Sequence, residues 1–125
     1  MIQDELLSAQ VALFSALADP TRMQILKLLH QKGPMHVTKI YETLGKPQNL
    51  ISHHLNCLKT CGLAAVEKQG RMAIYRIADP EIDQILDWAE KQVVAQAERI
   101  LSCSLVGNRA SRRAGKRSGG KHGKE

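Results

Sequence analysis

Apolar residues recur at helical intervals through most of the chain and fall into strand-like runs only once. Between residues 2 and 18, Leu6, Leu7, Ala9, Val11, Leu13, Phe14 and Leu17 are spaced for one face of a first helix. Asp19-Pro20 restarts the chain, with Asp as N-cap and Pro at the first helical position. The second helix should bury Met23, Ile25, Leu26, Leu28 and Leu29 and stop near Gly33-Pro34. Val37 to Leu44 predicts a short third helix closed by Gly45, and Lys46-Pro47 opens a fourth that runs to Cys61, with Gly62 suited to a left-handed cap. Leu63 to Lys68 and Met72 to Ile77, parted by Gln69-Gly70-Arg71, then predict a β-hairpin. After a second cap signal at Asp79-Pro80, Ile82, Ile85, Leu86, Trp88, Ala89, Val93, Ala97, Ile100 and Leu101 make a long last helix, whose apolar stripe exceeds what a small core can cover.

A chain of 125 residues fits one domain with a modest core, so a partner subunit is expected. The surplus apolar surface of the terminal helices is where a symmetric dimer would form. The opening MIQDELL carries acids rather than a basic run, and no apolar stretch approaches the roughly 18 residues of a membrane span, so a soluble, cytoplasmic protein is expected. Three cysteines are an odd number without an export signal, which argues against a disulfide framework and for metal or redox chemistry.

The net charge of +6 is unevenly placed. From Gly107 to Glu125 seven Lys or Arg stand against one acid, while residues 1–106 hold 11 of each sign. The division predicts a folded domain over 1–106 and a basic tail over 107–125 in which nothing can pack, so the tail is expected to be disordered. Within the neutral body, Lys39, Lys46, Lys59, Lys68, Arg71 and Arg76 outnumber two acids between residues 39 and 76, whereas residues 79–106 are net acidic. A positive middle segment is what phosphate binding requires, although charge alone names no partner.

Helix, helix, turn, helix, hairpin, helix is the order of a winged helix-turn-helix, mainly α with a β-hairpin wing. LADPTRMQILKLL at 17–29, ISHHLNCLKTCGL at 51–63 and GRMAIYRI at 70–77 resemble, in that order, the ArsR/SmtB family of dimeric metal-responsive repressors from about residue 9 to residue 103. Cys57 and Cys61 followed by a distal Cys103 look most like its cadmium- and lead-sensing CmtR-type branch. The resemblance implies double-stranded operator DNA and a second copy of the chain as partners, no enzymatic activity, no small-molecule substrate and no membrane.

Residues near the start of a recognition helix meet base edges, and here these are Gln48, Asn49, Ser52 and His53. Gln and Asn can pair bidentately with adenine. Lys46, Lys59 and Arg71 are phosphate or minor-groove candidates, Arg71 at the wing tip; each could equally be solvated surface. The basic tail could release counterions from the duplex or merely keep the chain soluble.

Leu50, His54, Cys57 and Cys61 share a stripe along the fourth helix, apart from the Ile51, Leu55 and Leu58 stripe that should face the core. From the residues alone, Cys57 and Cys61 are metal ligands or small buried hydrophobes. Cd(II) and Pb(II) favour thiolates, and the resemblance implies that Cys57 and Cys61 bind such an ion with Cys103 of the partner subunit, two sites per dimer. His54 is either a further ligand or a packing residue. The family's other sites have no ligands here, because residues 80–106 hold no His and residues 37–44 hold no Cys. Metal at Cys57 and Cys61 would disturb the recognition helix and release DNA, so the apo dimer is expected to repress. Oxidation or persulfide bridging of the same cysteines would make a redox sensor instead. A thiol oxidoreductase fits poorly, because Cys-x3-Cys is not the redox spacing and no catalytic base accompanies it.

Overall fold

Local sequence chemistry sets nearly every boundary of the chain. The computed structural model describes residues 2–119. Helix α1 (Gln3–Ala18) gives way to α2 (Pro20–Lys32), strand β1 (Met35–His36), α3 (Val37–Leu44), α4 (Gln48–Thr60), strands β2 (Ala64–Gln69) and β3 (Met72–Ile77), and α5 (Pro80–Gly119). The carboxylate of Asp19 caps α2 by accepting the Arg22 N–H at 2.9 Å, with Pro20 next to it at the first helical position. Asp79 repeats the device at α5, accepting from the Glu81 N–H at 2.9 Å.

Two helices end in the same way. At the end of α4, Gly62 takes φ 79°, its N–H donates to the Lys59 carbonyl, and the Leu63 N–H reaches back to Leu58 at 2.8 Å. This is a Schellman closure, with Leu58 and Leu63 both buried beside it. Gly45, at φ 64°, closes α3 likewise, with Lys46 donating to the Tyr41 carbonyl at 3.1 Å. Pro47, just before Gln48, cannot continue a helix from α3, so the chain turns sharply and starts α4.

The sheet has the order β1-β3-β2 and is antiparallel throughout. In the hairpin Gln69 faces Met72, leaving Gly70-Arg71 as a two-residue loop. Gly70 has positive φ and Arg71 does not, the signature of a II′ turn whose twist suits the flanking strands. Sequence periodicity missed β1: Met35 and His36 pair with Tyr75 and Ile74, and a strand of two residues carries no alternation to detect.

The chain divides between Leu86 and Asp87 into two units. In the first, Ile25, Leu26 and Leu29 of α2, Ile40 of α3, and Ile51, Leu55 and Leu58 of α4 form the fully buried centre. Ile82 and Leu86 add the start of α5 to it. His30 Nδ1, 2.6 Å from Asp83 Oδ1, ties the last turn of α2 to the first turn of α5. The second unit is the remainder of α5, with non-helical angles at Gln96 that no Pro or Gly explains. Composition predicts a change of character at Gly107; the helical backbone runs on to Gly119, through a segment rich in good helix formers such as Ala, Arg and Lys. The rest of the expected tail lies outside the described residues.

Candidate nucleic-acid interface and thiol site

Helix α4 has an inner and an outer face because its apolar residues repeat every three to four positions. Ile51, Leu55 and Leu58 have no solvent exposure, while Gln48, Asn49, Ser52, His53 and Asn56 are all exposed. The four residues expected at base edges are therefore presented together on the first two turns of a helix anchored from behind. Pro47 offers α4 no side-chain cap, and within the first turn Asn49 Oδ1 accepts the Leu50 N–H at 3.0 Å, so one of the candidate reading residues partly satisfies the positive end of the helix. Arg71 is exposed on the hairpin loop, and Lys59 and Lys68 are exposed as well. Such an assembly can insert one helix into a groove and lay cationic side chains on the flanking phosphates.

The thiols are free. Cys57 is partly buried on the third turn of α4, Cys61 is exposed at its C-cap, and Cys103 is exposed in the second unit. Among the described residues, no three His, Cys, Asp or Glu gather into a group able to hold a metal ion. The donors nonetheless suit a thiophilic ion, since two sulfurs one helical turn apart share a face of α4.

The imidazole beside these sulfurs differs from the one that spacing selects. His53 Nε2 lies 3.9 Å from Cys57 Sγ, both on the exposed side of α4. His54, placed by sequence on the cysteine stripe, turns toward α2 instead, its side chain only 14% exposed and Nδ1 3.9 Å from Asp19 Oδ2. Helical side chains lean toward the N-terminus over the preceding turn, so Cys57 sits over the residue four before it rather than three.

Asp19, Arg22 and His54 form a small polar cluster that sequence reasoning did not assemble. Arg22 Nε is 3.7 Å from Asp19 Oδ2, and Arg22 Nε and His54 Nδ1 are both buried without a hydrogen-bond partner. The Arg22 backbone N–H holds the Asp19 carboxyl below its ordinary range; burial opposes this, and the charges of His54 and Arg22 assist it. The N-cap signal at Asp19 was legible, but its contact with a residue 35 positions away was not.

The family model described as bacterial regulatory protein, arsR family, matches residues 19–66, which run from the α2 cap into the wing. The transcriptional regulator CmtR of Mycobacterium tuberculosis is 36% identical over 88 residues, covering 70% of this chain and 74% of that protein. The chain belongs to the ArsR family. The family and its fold are those of DNA-binding transcriptional regulators, not of enzymes. A probable mercury resistance operon repressor of Streptomyces lividans is 29% identical over 93 residues, 74% of each chain. The solution structure of a homodimeric winged helix-turn-helix DNA-binding domain from Mycobacterium bovis, a possible ArsR-family regulator, superposes with a TM-score of 0.64 at 34% identity, covering 74% of this chain and 83% of that one. No helix among the described residues is long and apolar enough to cross a membrane.

Proposed function

We propose that this ArsR-family protein is a cytoplasmic repressor that binds operator DNA as an apo homodimer and lets go when a thiophilic metal is captured. Gln48, Asn49, Ser52 and His53 read the groove, and Arg71 holds the flanking backbone. Cys57 and Cys61 of one copy, with Cys103 of the other, bind the inducer, Cd(II) or Pb(II). The observation that carries this reading is that Cys57 and Cys61 ride on the same helix that presents the four polar residues.

The exposed apolar residues of α1, Leu7, Val11 and Phe14 among them, support dimerisation through the first and last helices. The homodimeric relative supports it too. The mercury repressor's name supports a soft metal as the class of signal. Thiolate coordination supplies a large differential free energy, and release needs little of it, since about 1.4 kcal/mol changes an equilibrium tenfold. Residues 1–106 perform recognition and dimerisation, and the basic tail adds salt-sensitive affinity.

The test is cadmium stoichiometry by thiolate-to-metal absorption for the wild type beside Cys57→Ser, Cys61→Ser and Cys103→Ser. One ion per chain, lost or weakened at least tenfold in each variant while operator binding persists, is the expected result. A second reading draws on the exposure of Cys61: hydrogen peroxide could oxidise the two thiols to a disulfide, taking their two electrons and two protons and being reduced to two molecules of water. Neighbouring Cys on one helix bridge only with strain, so a peroxide response without a cadmium response would be needed to favour it.

A further inference from the structure

His53 and His54 are adjacent in sequence and their rings meet edge to face with centroids 5.5 Å apart, yet each has a different polar neighbour, and the difference bears on how the thiol site works. His54 is directed at Asp19, the N-cap of α2, and its side chain is largely buried. His53 is exposed, four residues before Cys57, with Nε2 already 3.9 Å from the sulfur. A tetrahedral ion with bonds of about 2.3 Å to sulfur and about 2.0 Å to nitrogen holds those two donors roughly 3.5 Å apart. A larger soft ion spreads them further, so the pair needs little rearrangement to grip one.

We propose that His53 and Cys57 form a mixed nitrogen–sulfur chelate for a borderline or soft divalent cation on the outward face of α4. Coordination uses the Nε2 lone pair of neutral His53 and the Cys57 thiolate, whose proton passes to water. This rests on the thiol site proposed above and deepens it. The imidazole that meets the operator is the one the ion takes, so release is a direct competition for a single side chain in addition to any distortion of the helix. An imidazole in the donor set also admits Zn(II) and Co(II), which favour mixed nitrogen and sulfur ligands, beside the softer Cd(II).

The experiment uses the reduced full-length chain with nitrogen-15-labelled histidine, titrated with cadmium-113 and followed by NMR and by thiolate absorption. His53→Gln is titrated beside it with cobalt(II) and cadmium(II), and circular dichroism confirms its fold. The proposal expects a cadmium–nitrogen coupling at His53 Nε2 and none at His54. It also expects a cobalt affinity about tenfold weaker in His53→Gln. If thiolate absorption develops while the His53 ring resonances stay uncoupled, His53 is not a ligand, and only the sulfur site survives. If no thiolate absorption develops at all, both the chelate and the underlying sensor reading fail. Because the coupling is measured on the wild type, the answer does not depend on the variant folding.

Discussion

Helix α1 is richer in apolar residues than helix α4, yet α4 buries its Ile51, Leu55 and Leu58 completely while α1 buries only Ala16. Phe14 of α1 is 65% exposed, and Leu7 and Val11 beside it are more than half exposed. The difference is one of partners. Helices α2 and α3 and the sheet close around α4, whereas the outward face of α1 meets nothing within its own unit. Trp88 and Val94, in the second unit, are likewise exposed. One region is complete as a single chain, and the other is built to be completed.

The largest effect should come from breaking the closed region. Leu55→Ala removes a side chain with no exposure, and the lost burial plus the cavity costs about 2–5 kcal/mol. Urea denaturation should show that loss, and operator binding should weaken with it. Phe14→Ala sharpens the contrast, because an exposed residue contributes little to the fold of one chain. Its urea midpoint extrapolated to low protein concentration should barely move, while sedimentation should show dimer dissociation at least tenfold easier. A Phe14→Ala protein that loses fold and dimer together would erase the distinction between the two regions.

A smaller effect tests how α4 is tied to α2. Asp19→Ala removes the α2 cap and the acid facing His54, at a cost of about 1 kcal/mol. Because the folded carboxyl is held below its ordinary range, the Asp19 contribution is fully present above the unfolded value near pH 4. It is lost as pH falls through the lowered folded value. The stability gap between wild type and Asp19→Ala should therefore narrow in strong acid, as urea melts at neutral and acid pH would record.

Most of the fold was legible because local rules govern it. The Asp-Pro starts, the Gly45 and Gly62 stops, the hairpin and the core face of α4 each depend on residues close together in sequence. What escaped was long-range or too short to carry a period. Strand β1 exists through pairing with β3, far along the chain. The exchange of His54 for His53 at Cys57 depends on the lean of helical side chains and on what α2 offers as a neighbour, and residue spacing contains neither. The four outward polar residues were legible as a set, since a buried apolar stripe fixes the opposite face by geometry alone.

The central claim is that the sulfur site and the reading surface share one helix and so exclude each other's occupants. The most direct measurement is operator affinity of the wild type and of Cys57→Ser by fluorescence anisotropy, with and without one equivalent of cadmium per chain at fixed salt. Wild-type affinity should fall at least tenfold on adding cadmium, and Cys57→Ser should bind the operator about as well in both conditions. A wild type that holds its operator equally tightly with cadmium bound would contradict the account.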